Sequence, residues 1–182
     1  MTAQPAPPAK QELLHALRSS GDEVVAKVRA LAPEQLEEGR YENGWNARQI
    51  LAHVASIEWT YPRLIDIAKD AEAPKAGQPP AVRQTDPQQA AGIATRPVRG
   101  GILDYNDRQV EKRAGASVGE LLDEFERNRA ATIGAVEGAA DDLLRREIRS
   151  AGGITGPLAG VINAVAVQHV RGHLHDILGP SA

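Results

Sequence analysis

The sequence contains no cysteine among its 182 residues. This absence excludes disulfide bonds, thiolate metal ligands and cysteine nucleophiles, and it fits the reducing environment of the cytoplasm. Any thiol chemistry would therefore have to use a thiol that a substrate or cofactor brings.

Strong positive charge and long apolar runs are also missing. The formal net charge is −3, the pI is about 6.0, and no Lys/Arg run is longer than a pair, so we expect no nucleic-acid partner. No stretch approaches the roughly 18 consecutive apolar residues that span a bilayer, and the first ten residues, MTAQPAPPAK, lack the apolar core of a signal peptide. We therefore expect a soluble, cytoplasmic protein without a membrane partner.

The length and the distribution of proline predict a single domain. A chain of 182 residues falls within the roughly 100–200 residues of a typical domain. Residues 1–9 are rich in proline and alanine and are expected to be a disordered tail, so the domain is predicted to span residues 10–180.

Four amphipathic segments with helical spacing of their apolar residues indicate an all-α protein. The first runs from Gln11 to Leu31, the second begins after the cap residue Asn46, the third after the cap residue Ser117, and the fourth follows Pro157. Residues 73–103 show no sustained period and predict a long loop, with a short helix following over Leu103–Arg113. No strand pattern competes, so we predict an antiparallel four-helix bundle with one long connection between helices 2 and 3.

Three histidines in two of these segments indicate a metal site. His169 and His173 lie one helical turn apart on the same face, and His53 falls inside the apolar stripe of the second helix. Imidazole nitrogen suits zinc and similar cations, and three protein ligands leave a position open for water or substrate. The alternative is that all three are core histidines satisfied by neighbours. Asp176 returns to the same stripe and would orient a ligand.

Other residues with charged or reactive side chains are assigned to the surface. His15 and His175 lie off the stripes, and Glu58 lies about 140° around its helix from His53. Arg127 and Arg129 either bind an anionic substrate or are solvated, and solvation is the more frequent case.

The motifs of several enzyme classes are missing. Val170 stands where a zinc peptidase of the HExxH type carries its glutamate, which disfavours a peptidase. Nucleophile-elbow and P-loop motifs are absent, and the glycines near Gly152 predict a turn.

The segment Gly44–Val54 (GWNARQILAHV), followed by Glu58 and the C-terminal pair His169 and His173, resembles the DinB-like superfamily of metal-binding four-helix bundles. The similarity extends over residues 10–178. The resemblance implies that His53, His169 and His173 hold a divalent metal, often zinc or nickel. The stretch Asp104–Asp107 is similar to a family segment that borders the site, which makes Asn106 a candidate for substrate contact.

The resemblance also implies a function. Relatives include transferases that use the small thiols mycothiol or bacillithiol, and mycothiol-dependent maleylpyruvate isomerases, and they often form homodimers. We therefore expect a metal-dependent thiol S-transferase acting on a small electrophile. Two alternatives remain: a metal-dependent hydrolase of small molecules, and a non-catalytic, stress-related metal-binding protein.

Overall fold

The computed structural model describes residues 7–39, 44–70 and 101–179. Its helices are α1 (Lys10–Arg29), α2 (Pro33–Leu36), α3 (Ala47–Glu58), α4 (Pro62–Asp70), α5 (Gly101–Glu111), α6 (Val118–Gly138), α7 (Asp141–Leu144), α8 (Leu158–Ile162) and α9 (His169–Leu178). A π-helical turn, Asn163–Gln168, joins α8 to α9, and two short strands are β1 (Glu147–Arg149) and β2 (Thr155–Pro157). The prediction of an all-α protein is confirmed.

The long helices α1, α3, α6 and α9 form a bundle in which α1 and α3 each pack against both α6 and α9. Lys10, at the start of α1, donates to the carbonyl of Ala139, just beyond the end of α6, so these two helices run antiparallel. In contrast, Arg48 early in α3 donates to the carbonyl of Ala116, just before α6 begins. The helices α3 and α6 therefore run parallel.

The starts of the helices follow the predicted capping signals. Asn46 accepts a hydrogen bond from the backbone N–H of Gln49, whose side chain accepts one from the N–H of Asn46, at 2.8 and 2.9 Å. Ser117 and Glu120 form the same reciprocal box ahead of α6. Each box satisfies amides that have no partner within the helix. The second predicted helix breaks before Pro62, because α3 ends at Glu58 and α4 begins at Pro62.

Helix α3 is packed against α5, α6 and α9. Every residue from Ile50 to Glu58 is buried, so α3 has no solvated face along this stretch. A helix enclosed on all sides does not separate inward from outward positions by angle alone. The consequence is that polar residues of α3, whichever way they point, meet other helices.

The C-terminal helix is interrupted by the π-helical turn immediately before its histidines. The backbone N–H of His169 donates to the carbonyl of Ala164, five residues back rather than four. A π turn takes up one extra residue, so the face that points inward changes along the helix. Counted at α-helical spacing, the inward stripe of the fourth helix would include Val165, His169 and Gly172, and this is wrong in part: Val165 is half-buried, and His169 and Gly172 are exposed.

A hairpin, β1 paired antiparallel with β2, connects α7 to α8. The expectation that no strand occurs is thus wrong for these short segments, which are too brief to show an alternating pattern. The predicted turn at the glycines is present: Gly153 has φ +90°, a conformation that glycine adopts at little cost. Pro157 ends β2, and α8 begins at the next residue.

The predicted loop at residues 73–103 is wrong at its C-terminal end, since residues 101–103 already belong to α5. Ile102 and Leu103 lie in this first turn of α5, and the proline and glycine residues before them obscured its start. The remainder of this predicted loop, and residues 1–6 of the predicted tail, lie outside the described residues. No helix in the described ranges combines the length and apolarity needed to cross a membrane.

Candidate metal centre

His53, His169 and His173 converge between α3 and α9. One ligand atom from each lies within 4.8 Å of the other two. The ring centroid of His53 is 5.7 Å from that of His169 and 5.0 Å from that of His173, and the latter two are 4.4 Å apart. The fold thus brings together the three histidines that the spacing singled out, while His15 and His175 are exposed elsewhere.

Two of the rings are oriented through their second nitrogen. Nδ1 of His173 lies 3.1 Å from Oδ2 of Asp176, and its Nε2 lies 3.0 Å from Nε2 of His169. The His169 ring also has a hydrogen bond to the backbone of Val165. Such bonds fix which nitrogen faces a metal and which way the ring is turned. Asp176 therefore occupies the orienting position that the sequence suggested.

Removal of the ring nitrogens from water keeps the three imidazoles neutral at pH 7, although His169 as a whole residue is exposed. Burial, with a smaller contribution from His173 and His169, lowers the pKa of His53 to about 3. Burial likewise lowers the pKa of His169 to about 4, against opposing contributions from Val165 and Asp176. The pKa of His173 is lowered by burial too, although Asp176 opposes the shift. Neutral imidazole is the form that binds metal ions.

The site fits a divalent cation. Nδ1 of His53 is buried and has no hydrogen-bond partner among the described residues, and a buried polar atom without a partner costs about 1–3 kcal/mol. Three imidazole nitrogens, two of them with oriented rings, are a donor set that zinc and nickel accept. A fourth protein ligand is not found within the described ranges, so the arrangement is of the open kind.

A cavity of about 500 Å³ opens beside the histidines, and His53 and His169 contribute to its wall. The remaining wall is mostly apolar, with Ile57, Leu64, Ile67, Ile102, Ile154 and Val165. Arg63 lies at this cavity, its guanidinium stacked 4.2 Å from the centre of the Trp59 ring. The histidine site therefore faces a space of substrate size with an apolar lining.

Asn106, which the resemblance suggested as a substrate contact, lines the same cavity from α5. Its Oδ1 is buried without a hydrogen-bond partner in the described part of the chain. Tyr61 also lines the cavity, and its buried hydroxyl likewise has no hydrogen-bond partner among the described residues. Tyr61 is a further candidate site residue that the sequence did not indicate.

Two residues assigned to the surface lie in the core. Glu58 is fully buried, and its carboxylate contacts Arg129, which is only 4% exposed, at 2.8 and 3.0 Å. The angle of about 140° between His53 and Glu58 on the helix did not predict the exposure of Glu58, because α3 is enclosed on all sides. The one sequence signal for this burial is the position of Glu58 at the end of the mostly apolar segment 50–57. Arg127 is exposed, as expected.

Comparisons with known proteins agree with this architecture. The sequence profile of the DinB superfamily matches residues 16–177. The crystal structure of a mycothiol-dependent maleylpyruvate isomerase aligns with a TM-score of 0.66 at 16% identity, over 93% of this chain and 61% of that one. A histidine-to-alanine variant of that enzyme aligns with a TM-score of 0.67 at 15% identity, over 96% and 63%.

This chain thus spans less than two thirds of the length of either solved structure. At such identities the likeness shows the fold. No curated protein sequence matches this chain.

Proposed function

Since this chain belongs to the DinB superfamily, we propose that it is a divalent-metal-dependent enzyme that transfers a low-molecular-weight thiol to a small electrophile. The observation that carries the proposal is the open group of His53, His169 and His173, two of which, His53 and His169, line an apolar cavity. Three protein ligands leave room for an exogenous ligand on the metal.

The roles of the residues follow from their contacts. His53, His169 and His173 would hold the metal, with zinc or nickel as the expected ions. Asp176 turns the His173 ring so that its Nε2 faces the site. A divalent cation bound there supplies the charge that keeps a sulfur ligand deprotonated near neutral pH.

The thiol must come from outside the chain, which has no cysteine. The solved relatives are named for mycothiol, so mycothiol is the first candidate and bacillithiol the second. The cavity wall favours an electrophile with an apolar body, because burying apolar surface yields roughly 25 cal/mol per Å². Asn106 would contact a polar group of the substrate.

The reaction forms one carbon–sulfur bond. The thiol gives up its proton to solvent, and its sulfur attacks the electrophilic carbon. In a substitution the bond to a leaving group breaks, whereas in an addition a proton returns to the neighbouring carbon. The chain's own contribution is to hold the two reactants together and to exclude water, which raises the effective concentration of the nucleophile.

Hydrolysis is less well supported. A metal-dependent hydrolase needs a general base beside the open position. None of the described residues that line the cavity is Asp or Glu, and Glu58, the nearest carboxylate to His53 along α3, is engaged with Arg129 in the core. A non-catalytic metal-binding role would produce the same histidine geometry but no turnover.

The test is a thiol-consumption assay on the zinc- or nickel-loaded protein, with mycothiol or bacillithiol and an uncharged aromatic electrophile. We expect turnover that His53→Ala abolishes and that His175→Ala, an exposed histidine outside the site, leaves unchanged. Undiminished turnover after chelation of the metal would refute the proposal. Stoichiometric metal without any turnover would support the non-catalytic alternative.

A further inference from the structure

Arg129, on α6, contacts three other helical segments of the bundle: α1, α3 and the π-helical turn that leads into α9. One guanidinium nitrogen, Nη1, donates to the carbonyl of Leu17 and to Oγ of Ser20 on α1, both at 3.0 Å. The other, Nη2, donates to the carboxylate of Glu58 on α3 at 3.0 Å and to the carbonyl of Ala166 in the π-helical turn at 2.7 Å. No other side chain described above contacts so many elements.

The surroundings of this guanidinium are arranged to accommodate it. Gly21 makes room for it, since a Cβ there would lie 3.3 Å from Cγ of Arg129. Thr132 donates to Oε1 of Glu58 at 3.2 Å. Burial raises the pKa of Glu58, and the guanidinium opposes that shift. Burying such a pair rarely stabilises a fold more than apolar packing would, so its value lies in the geometry that it specifies.

The geometry in question is that of the π-helical turn. The N–H of His169 donates to the carbonyl of Ala164, whereas an α-helix would direct it to Val165. The backbone of Val165 instead has a hydrogen bond to the imidazole ring of His169. Extra-residue turns of this kind occur frequently at functional sites. Here the turn provides the acceptor that orients one of the three histidines.

We propose that Arg129, braced by Glu58, is a positioning residue for the histidine site, because its bond to the Ala166 carbonyl holds the π-helical turn that sets His169 against His53. Glu58 lies five residues after His53 on α3, and Ala166 lies three residues before His169. One guanidinium therefore ties together the two helices that carry the site. The inference rests on the proposed function only in that the histidines must bind a metal.

The test uses Co²⁺ alone as the probe, with affinity and visible absorption spectrum as readouts. Arg129→Lys keeps the positive charge but cannot form the forked contacts. We expect its Co²⁺ dissociation constant to rise by about tenfold or more, the range seen when groups that orient metal ligands are removed. We also expect the absorption bands to shift, because the ligand geometry changes.

The matched control is Leu143→Ala, which removes a buried apolar side chain on α7, an element that contributes no residue to the histidine group. It should lower the melting temperature while leaving Co²⁺ affinity and spectrum unchanged, so that loss of stability alone is separated from positioning. If Arg129→Lys does not fold, Thr132→Val is measured instead, with Thr132→Ser as the conservative rescue. Thr132→Val should weaken Co²⁺ binding and Thr132→Ser should restore it.

The outcomes separate the two proposals. Wild-type Co²⁺ affinity and spectrum in Arg129→Lys, or in Thr132→Val where that variant is used, would overturn the positioning role and leave the proposed function intact. Failure of the wild-type protein to bind Co²⁺ would overturn the metal site, and the positioning role with it.

Discussion

At the scale of single residues, the three histidines differ in what holds the ring. His173 has Asp176 and His169 has the backbone of Val165, whereas Nδ1 of His53 has no hydrogen-bond partner among the described residues. Rings that are already oriented lose less freedom when a metal binds. Removing an orienting group should therefore weaken metal binding without removing a ligand.

Asp176→Ala tests this expectation. We expect zinc affinity to fall by about 10- to 100-fold, as for other second partners of metal-bound histidines, in a competition titration against a chromophoric chelator. Asp123→Ala is the control, because Asp123 is an exposed aspartate on α6. Equal affinities in the two variants would show that Asp176 does not orient His173.

Which residues meet at the site was partly readable from the sequence. The spacing of His169 and His173, and the place of His53 in an apolar stripe, separated this trio from His15 and His175. Glu58 and Arg129 were missed, because helical angles report burial only for a helix with one solvated face. Glu58 lies on a helix that is enclosed on all sides, and only the packing of the other three helices reveals its partner.

At the scale of elements, the π-helical turn Asn163–Gln168 determines which way His169 points. Deleting Ala164 removes the extra residue that the π turn takes up, so the segment can close as an α-helix in which the N–H of His169 bonds to the Val165 carbonyl. We expect far-UV circular dichroism to retain its helical signal while zinc affinity, measured by equilibrium dialysis, falls by about tenfold or more, because the His169 ring loses the acceptor that orients it.

Deletion of Gly115 is the control for this experiment, because that residue is exposed in the turn between α5 and α6, which carries none of the three histidines. The Gly115 deletion should bind zinc normally. Normal zinc binding by the Ala164 deletion would contradict the assigned role of the π turn.

The predictability of elements follows the strength of their local signals. The starts of α3 and α6 were predicted, because Asn46 with Gln49 and Ser117 with Glu120 are chemically specific pairs. The π turn carries no glycine or proline, so nothing in its composition distinguishes it from an α-helix. The strands β1 and β2 have three residues each, which is too few for a period. Such features depend on tertiary contacts, here including the bond from Arg129 to Ala166.

At the scale of the whole molecule, the burial of His53 should make the metal-free protein sensitive to acid. The pKa of His53 is lowered to about 3 in the folded protein, from 6.5 in an unperturbed chain. Below pH 6.5 the unfolded chain therefore binds more protons than the folded one. Stability is complete above that pH and falls as the pH drops towards 3.

Urea unfolding of the chelated protein at pH 7.5, 6 and 5 measures this effect. The contribution of His53 has a limiting slope of about 1.4 kcal/mol per pH unit. His53→Leu should give a correspondingly flatter dependence, since leucine has no proton to gain. Parallel pH profiles for the wild-type and variant proteins would show that His53 is not held neutral by burial.

The central claim is that His53, His169 and His173 together bind one divalent cation, and metal analysis of the purified protein tests it most directly. Inductively coupled plasma mass spectrometry, after incubation with zinc or nickel and gel filtration, should find one metal per chain in the wild-type protein. The same preparation of His53→Ala should lose it, and that of His175→Ala should retain it. Metal-free wild-type protein, or undiminished metal in folded His53→Ala, would contradict the account.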